Sequence, residues 1–171
     1  MDLFLVRHGI ALDIGVNGIN TDYDRTLSPK GRTKTKEVSV ALSTIECCPK
    51  KILTSPLCRA VETAVIIAEN LSDTPVMEES DHLACGSDMN LLIRWLGKQS
   101  EDQIMIVGHM PDLSILSSLL LSSTHNVRIA FKKAGVCCIS FQHRIKPGEG
   151  VLKFHLEPKQ LLLIAAPANQ K

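Results

Sequence analysis

The chain has 171 residues, 44% of them hydrophobic, and a formal net charge of +1 at pH 7. That length and apolar content suit one domain over residues 1–171 with a substantial buried core, and leave no room for a second catalytic unit. With near-neutral charge and basic residues scattered along the sequence, nothing favours electrostatic capture of a nucleic-acid backbone or a membrane surface, and neither is expected as a partner.

Leu3-Phe4-Leu5-Val6 reads as a strand that runs directly into Arg7-His8-Gly9, delivering a cation and an imidazole to its carboxyl end. Open α/β sheets build their sites at such ends. The stretch from Ile10 to Thr26 reads as a long loop, of the kind that often covers a functional site, with Asp13 and Asp24 expected in solvent. Ser28 can cap a helix with Pro29 at its first position, and Val38, Ala41, Leu42 and Ile45 then recur at helical spacing.

Thr54-Ser55-Pro56-Leu57-Cys58-Arg59-Ala60 follows a second short apolar segment and opens another helix. Its buried stripe is read as Leu57, Val61, Ala64, Val65 and Ala68, with Arg59 in the first turn facing the same edge as His8. Leu92, Trp95 and Leu96 mark a third helix, with Asp88 as its expected N-cap. The apolar strand Ile104-Met105-Ile106-Val107 ends on Gly108-His109, and a fourth helix follows from Pro111 to Ser122 with Leu113, Leu116 and Leu120 on one side. Strands alternating with helices imply a largely parallel sheet covered on both faces.

The carboxyl end changes rhythm. Val136 to Phe141 reads as a buried strand, Lys146 to Gly150 supplies turn residues, and Leu152, Phe154 and Leu156 alternate with Lys153, His155 and Glu157. This predicts an antiparallel hairpin with a half-exposed last strand, His155 lying on its solvent side like His125 and His143.

Six cysteines occur as the adjacent pairs Cys47-Cys48 and Cys137-Cys138 and as lone Cys58 and Cys85. No C-x-x-C pair exists, His82 and Cys85 lack a second ligand pair, and no metal or other cofactor is expected. The chain opens on a strand without a charged and apolar leader, and no apolar run is long enough for a bilayer, so the expected location is cytoplasmic.

Three strand ends thus present Arg7, His8, Arg59 and His109. Imidazole offers a lone pair near neutral pH, guanidinium grips phosphate oxygens in a fixed fork, and helix N-termini favour anions. Together they point to phosphoryl chemistry. Leu-Val-Arg-His-Gly at the start, Thr-Ser-Pro-Leu-Cys-Arg-Ala before a helix and Val-Gly-His after a later strand resemble the histidine phosphatase (phosphoglycerate mutase-like) superfamily. Leu27-Ser28-Pro29-Lys30-Gly31, Leu83-Ala84-Cys85-Gly86 and the short chain extend the likeness to its small SixA-type phosphohistidine phosphatases.

The resemblance implies a three-layer α/β/α sandwich with a mostly parallel central sheet and an antiparallel edge strand. It implies His8 as the nucleophile, with Arg7, Arg59 and His109 as the substrate-binding pocket for the phosphoryl group. His8 must then present one bare nitrogen while the other donates to a fixed acceptor, which the sequence does not reveal, and a protonated His109 would add a further donor. Larger members use a carboxylate as proton donor, and Glu79, Asp81 and Asp88 are unresolved candidates here. An imidazole leaving group, with a conjugate acid of pKa about 6.5, needs far less help than an alkoxide near about 15.7.

The expected substrate is a phosphohistidine-bearing protein of a phosphorelay or phosphotransfer type, with inorganic phosphate as product. Two alternatives stand beside it: a small-molecule phosphomonoesterase of the same superfamily, and a phosphate-binding module without catalysis, which would have no use for His8.

Overall fold

The computed structural model describes residues 1–165. Its six strands are β1 (Asp2–Arg7), β2 (Lys51–Thr54), β3 (Val76–Glu79), β4 (Gln103–Gly108), β5 (Val136–Ser140) and β6 (Val151–Leu156). They form one sheet in the order β3-β2-β4-β1-β5-β6. Neighbours from β3 to β1 are parallel, whereas β5 pairs antiparallel with β1 and the edge strand β6 pairs antiparallel with β5.

Five helices cover the sheet: α1 (Pro29–Thr44), α2 (Cys58–Ala68), α3 (Met89–Leu96), α4 (Asp112–Ser122) and α5 (Pro158–Ala165). Alternate strand residues divide the core in two. Leu3, Leu5, Ile104, Ile106, Cys137 and Ile139 pack toward α3 and α4, while Phe4, Val6, Met105, Val107, Val136 and Cys138 pack toward α1, α2 and α5. Burial on both faces is why β1 and β4 read as unbroken apolar runs. Among the described residues, no helix is long and apolar enough to cross a membrane.

Ser28 caps α1 by accepting from the Gly31 amide at 3.0 Å, and its own amide donates to the Ile10 carbonyl at 2.8 Å. Gly31 lies so close to Ile10 that any Cβ would collide with that carbonyl. Glycine here lets α1 dock directly against the loop leaving β1. Asp88 caps α3 as expected, accepting from Asn90 and Leu91.

Three expectations need correction. The inward face of α2 carries Arg59, Ala60, Thr63, Ala64 and Ile67, while Val65 is exposed. Large apolar residues suggested a stripe rotated from the real one, because the buried face also holds the polar pair Arg59 and Thr63. His155 is not in solvent: its ring stands edge-on to Phe131, centroids 5.2 Å apart, with Nε2 buried. His155 does alternate with Phe154 and Leu156 and pairs with Cys137, but Phe131 covers that face of the sheet; farther along β6 a bulge pairs Phe154 with Cys138 and Leu152 with Ile139, leaving Lys153 unpaired. One extra residue breaks the alternation and sends Leu152 and Phe154 to opposite faces. Finally, the hydrophobic pattern marked neither β3, an exposed edge strand ending in Glu78-Glu79, nor the short α5, whose Leu161 joins the core beside α1.

Candidate active site

Sheet register assembles the site. Arg7 pairs with Gly108 and Thr54 with Val107, so β2, β4 and β1 end in adjacent positions and pass into Ser55, His109 and His8. The His8 amide donates to the Gly108 carbonyl and the Ser55 amide to the Val107 carbonyl, extending the ladder one residue past the strands. The two imidazoles lie with ring centroids 5.1 Å apart, tilted by 51°. Arg59, in the first turn of α2, is buried beside them with 4% of its surface exposed.

His8 Nδ1 lies 2.7 Å from the Gly9 carbonyl, which can only accept, so Nδ1 carries the proton and Nε2 keeps the lone pair. This backbone oxygen is the acceptor the sequence did not reveal. The Gly9 amide donates to Thr63 Oγ1 at 2.9 Å, and Thr63 Oγ1 donates to the Arg59 carbonyl at 2.7 Å. One hydroxyl on α2 therefore ties the loop that orients His8 to the helix turn that carries Arg59.

His109 Nε2 lies 2.7 Å from Ser55 Oγ, and that oxygen also accepts weakly from the Leu57 amide at 3.4 Å. With the Ser55 hydroxyl donating to Nε2, His109 Nδ1 bears hydrogen, and Nδ1 is buried without a protein partner. Arg7 donates through Nη1 to the Phe131 carbonyl at 2.7 Å, while its Nε is also buried and unpaired. Both atoms are buried without protein partners, so they are free to bind a phosphoryl oxygen.

Burial, reinforced by the positive charges of Arg59 and Arg7, lowers both imidazole pKa values. His8 falls to about 3 and His109 to about 4, with the Gly9 carbonyl opposing the shift in the first and Asp22 opposing it in the second. Both rings are therefore neutral at pH 7. Protonation, the condition on which His109 would add a charged donor, is disfavoured by burial, although the tautomer whose Nε2 accepts from Ser55 still offers Nδ1–H.

The loop over residues 10–26 reaches this site through Asp22, whose backbone oxygen accepts from Arg59 Nη1 at 2.6 Å and whose carboxylate accepts from Nη2 at 2.9 Å. Asp13, in contrast, sits at the surface beside Arg25, and Asp24 bonds only within its own loop. Glu79 and Asp81 are exposed, and the Asp88 carboxylate is occupied as the α3 cap. Glu79 pairs with Thr54 at the β2 end of the site, while Asp22 binds Arg59 and Asp112 accepts from the Gly86 amide beside Cys85. Motif reading missed Asp22, Ser55 and Thr63; only Thr63 carried a usable signal, four residues beyond Arg59 on the same helix face.

Residues 3–83 match the model of the histidine phosphatase superfamily (branch 1). An uncharacterized protein of Picosynechococcus sp. is 30% identical over 98% of this chain and 97% of its own length. Among solved structures, the protein histidine phosphatase SixA complexed with tungstate superposes with a TM-score of 0.81 at 21% identity, over 94% of this chain and 99% of that one. A phosphoserine phosphatase of Entamoeba histolytica in complex with phosphoserine superposes at 0.65, with 19% identity over 94% and 98% of the two chains. With this family match, the chain belongs to the histidine phosphatase superfamily. Its fold is of the SixA type.

Proposed function

We propose that this chain is a phosphohistidine phosphatase, acting as a single domain in the cytoplasm on phosphorylated histidine of a partner protein. The observation that carries the reading is the His8 tautomer: Nδ1–H is spent on the Gly9 carbonyl, leaving a neutral, nucleophilic Nε2 among cationic donors. Free thiols at all six cysteines suit a reducing compartment.

In the first step the His8 Nε2 lone pair attacks phosphorus as the bond from phosphorus to the substrate imidazole breaks. The departing ring takes a proton from solvent, which its basicity permits without a strong dedicated acid. Water then attacks the phosphorylated His8, releasing inorganic phosphate and restoring the neutral ring. Arg7, Arg59 and the Nδ1–H of His109 bind the equatorial oxygens and stabilise their charge as bonds exchange, so the scheme uses no metal ion.

A small-molecule phosphomonoesterase is the second reading, favoured by the likeness to a phosphoserine phosphatase. An alkoxide leaving group needs a proton, and Asp22, a carboxylate at the mouth of the site, is bound to Arg59. That occupation is why the phosphoramidate is preferred here. The test compares wild type with His8→Ala on a phosphohistidine peptide and on an aryl phosphate. The reading expects the peptide to turn over much faster, without divalent cation, and the variant to lose at least about a thousandfold. Unaltered turnover in the variant, or a preference for the ester, overturns it.

A further inference from the structure

Beside the phosphoryl pocket, a groove of about 410 Å³ runs along Arg7 toward the start of α5, lined by Lys34, Lys132, Lys133 and Lys159, with Glu157 its one acidic wall residue. None of these four lysines forms an ion pair among the described residues, whereas Lys50, Lys51 and Lys146 each do. In a chain of net charge +1, the fold gathers unpaired cations from α1, the segment before β5, and α5 onto one side of one site.

The groove is joined to the pocket by backbone. The Ala134 amide donates to the Arg7 and His8 carbonyls, the Arg7 amide donates to the Gly135 carbonyl, and Arg7 Nη1 holds the Phe131 carbonyl. Lys132 and Lys133 are therefore fixed a few residues from the nucleophile, and Arg7 is the shared wall.

We infer that this lysine groove docks acidic side chains flanking the phosphohistidine of a protein substrate. The inference rests on the proposed reading and adds to it the charge of the partner. Lysine is a flexible point charge without the planar fork that reads phosphate, and several of them along an open groove match carboxylates whose positions vary. Such complementarity acts mainly on encounter rate and is screened by salt.

Two measurements separate this inference from the reading beneath it. Binding of a fluorescent glutamate-rich peptide, without phosphate, is followed by anisotropy in wild type and in Lys132→Gln/Lys133→Gln/Lys159→Gln. Wild type is expected to bind it at low salt about tenfold more tightly than the glutamine counterpart, and the triple variant to lose that difference. Phosphohistidine peptides with acidic or neutral flanks are then compared by kcat/KM, and the triple variant should lose the preference for acidic flanks while keeping its rate on the neutral peptide. Equal binding of both peptides by wild type, retained preference in a variant that melts like wild type, or tighter binding to a labelled oligonucleotide than to the glutamate peptide overturns the groove assignment. The binding arm does so whether or not either phosphopeptide is hydrolysed.

Discussion

Arg59 reaches into the mouth of the site already held by Asp22, with 2.6 Å to its backbone oxygen and 2.9 Å to its carboxylate. The two contacts differ in kind. The carbonyl orients the guanidinium, whereas the carboxylate places a negative charge where an incoming phosphoryl group brings more. Asp22→Asn keeps the orienting carbonyl and removes the competing charge. Inorganic phosphate is expected to inhibit this variant about fivefold more tightly than wild type, the scale of one charge across a partly solvated site. Inhibition constants at matched ionic strength check it, and weaker inhibition in the variant contradicts it.

Thr63 holds Gly9 to Arg59 from a fully buried position. Thr63→Val keeps the shape and leaves the Gly9 amide without its partner. The expected loss is about 1–3 kcal/mol of stability, the range for one buried unsatisfied donor. Activity should fall by about tenfold or more, because the Gly9 carbonyl that orients His8 is released with it. Denaturant unfolding and steady-state rates read the two effects separately.

Ser55→Ala removes the hydroxyl on His109 Nε2 while leaving the strand ends paired. His109 can then place its proton on either nitrogen, so donation toward the phosphoryl group is no longer enforced. A rate loss of about tenfold is expected with little change in the midpoint of unfolding. A variant with full activity contradicts the assignment of Nδ1–H to the pocket.

The lowered pKa values of His8 and His109, about 3 and about 4, set a pH window. A histidine whose folded pKa lies below its unfolded value of about 6.5 favours folding above that value, and the contribution is lost as pH falls toward the folded pKa. Both rings of the phosphate-free protein should therefore stay neutral from pH 7 down to pH 5 in imidazole NMR, while thermal stability declines below about pH 6. Midpoints near 6.5 for either ring contradict the burial argument.

His155 offers a test away from the chemistry. Its Nε2 is buried without a partner while the ring packs edge-on to Phe131. His155→Phe keeps an aromatic edge and removes the unpaired nitrogen, so the melting temperature should rise by about 2–4 °C, with rates unchanged. A fall in melting temperature shows that the nitrogen makes a contact with solvent that matters.

His155 also marks where sequence reading stopped. The strands ending at Arg7, Thr54 and Gly108 were legible because each is an apolar run closed by a chemically distinctive residue, and parallel pairing places such ends side by side. The alternation put His155 on the face opposite Phe154 and Leu156, where it does lie, but that face is covered by Phe131, a residue outside the strand that the strand's own pattern does not announce. Asp22 was silent for another reason: its partner lies 37 residues away, and an acid in a loop carries no mark of what it will meet. Thr63 shared a helix face with Arg59, but its contact with Gly9, 54 residues away, was equally unmarked. The Gly9 carbonyl, a backbone group, could not have been marked at all. The lysines of the groove looked scattered because three separate segments supply them.

The most direct measurement is the position of phosphorus on the enzyme. The protein is mixed with phosphohistidine peptide, quenched in alkali within milliseconds, and the labelled residue identified by mass spectrometry, with the substituted ring nitrogen assigned by NMR. Phosphate on Nε2 of His8, formed and lost at rates that account for turnover, is the predicted result. Phosphate on Nδ1, on His109, or on no residue while the peptide is still hydrolysed would contradict it.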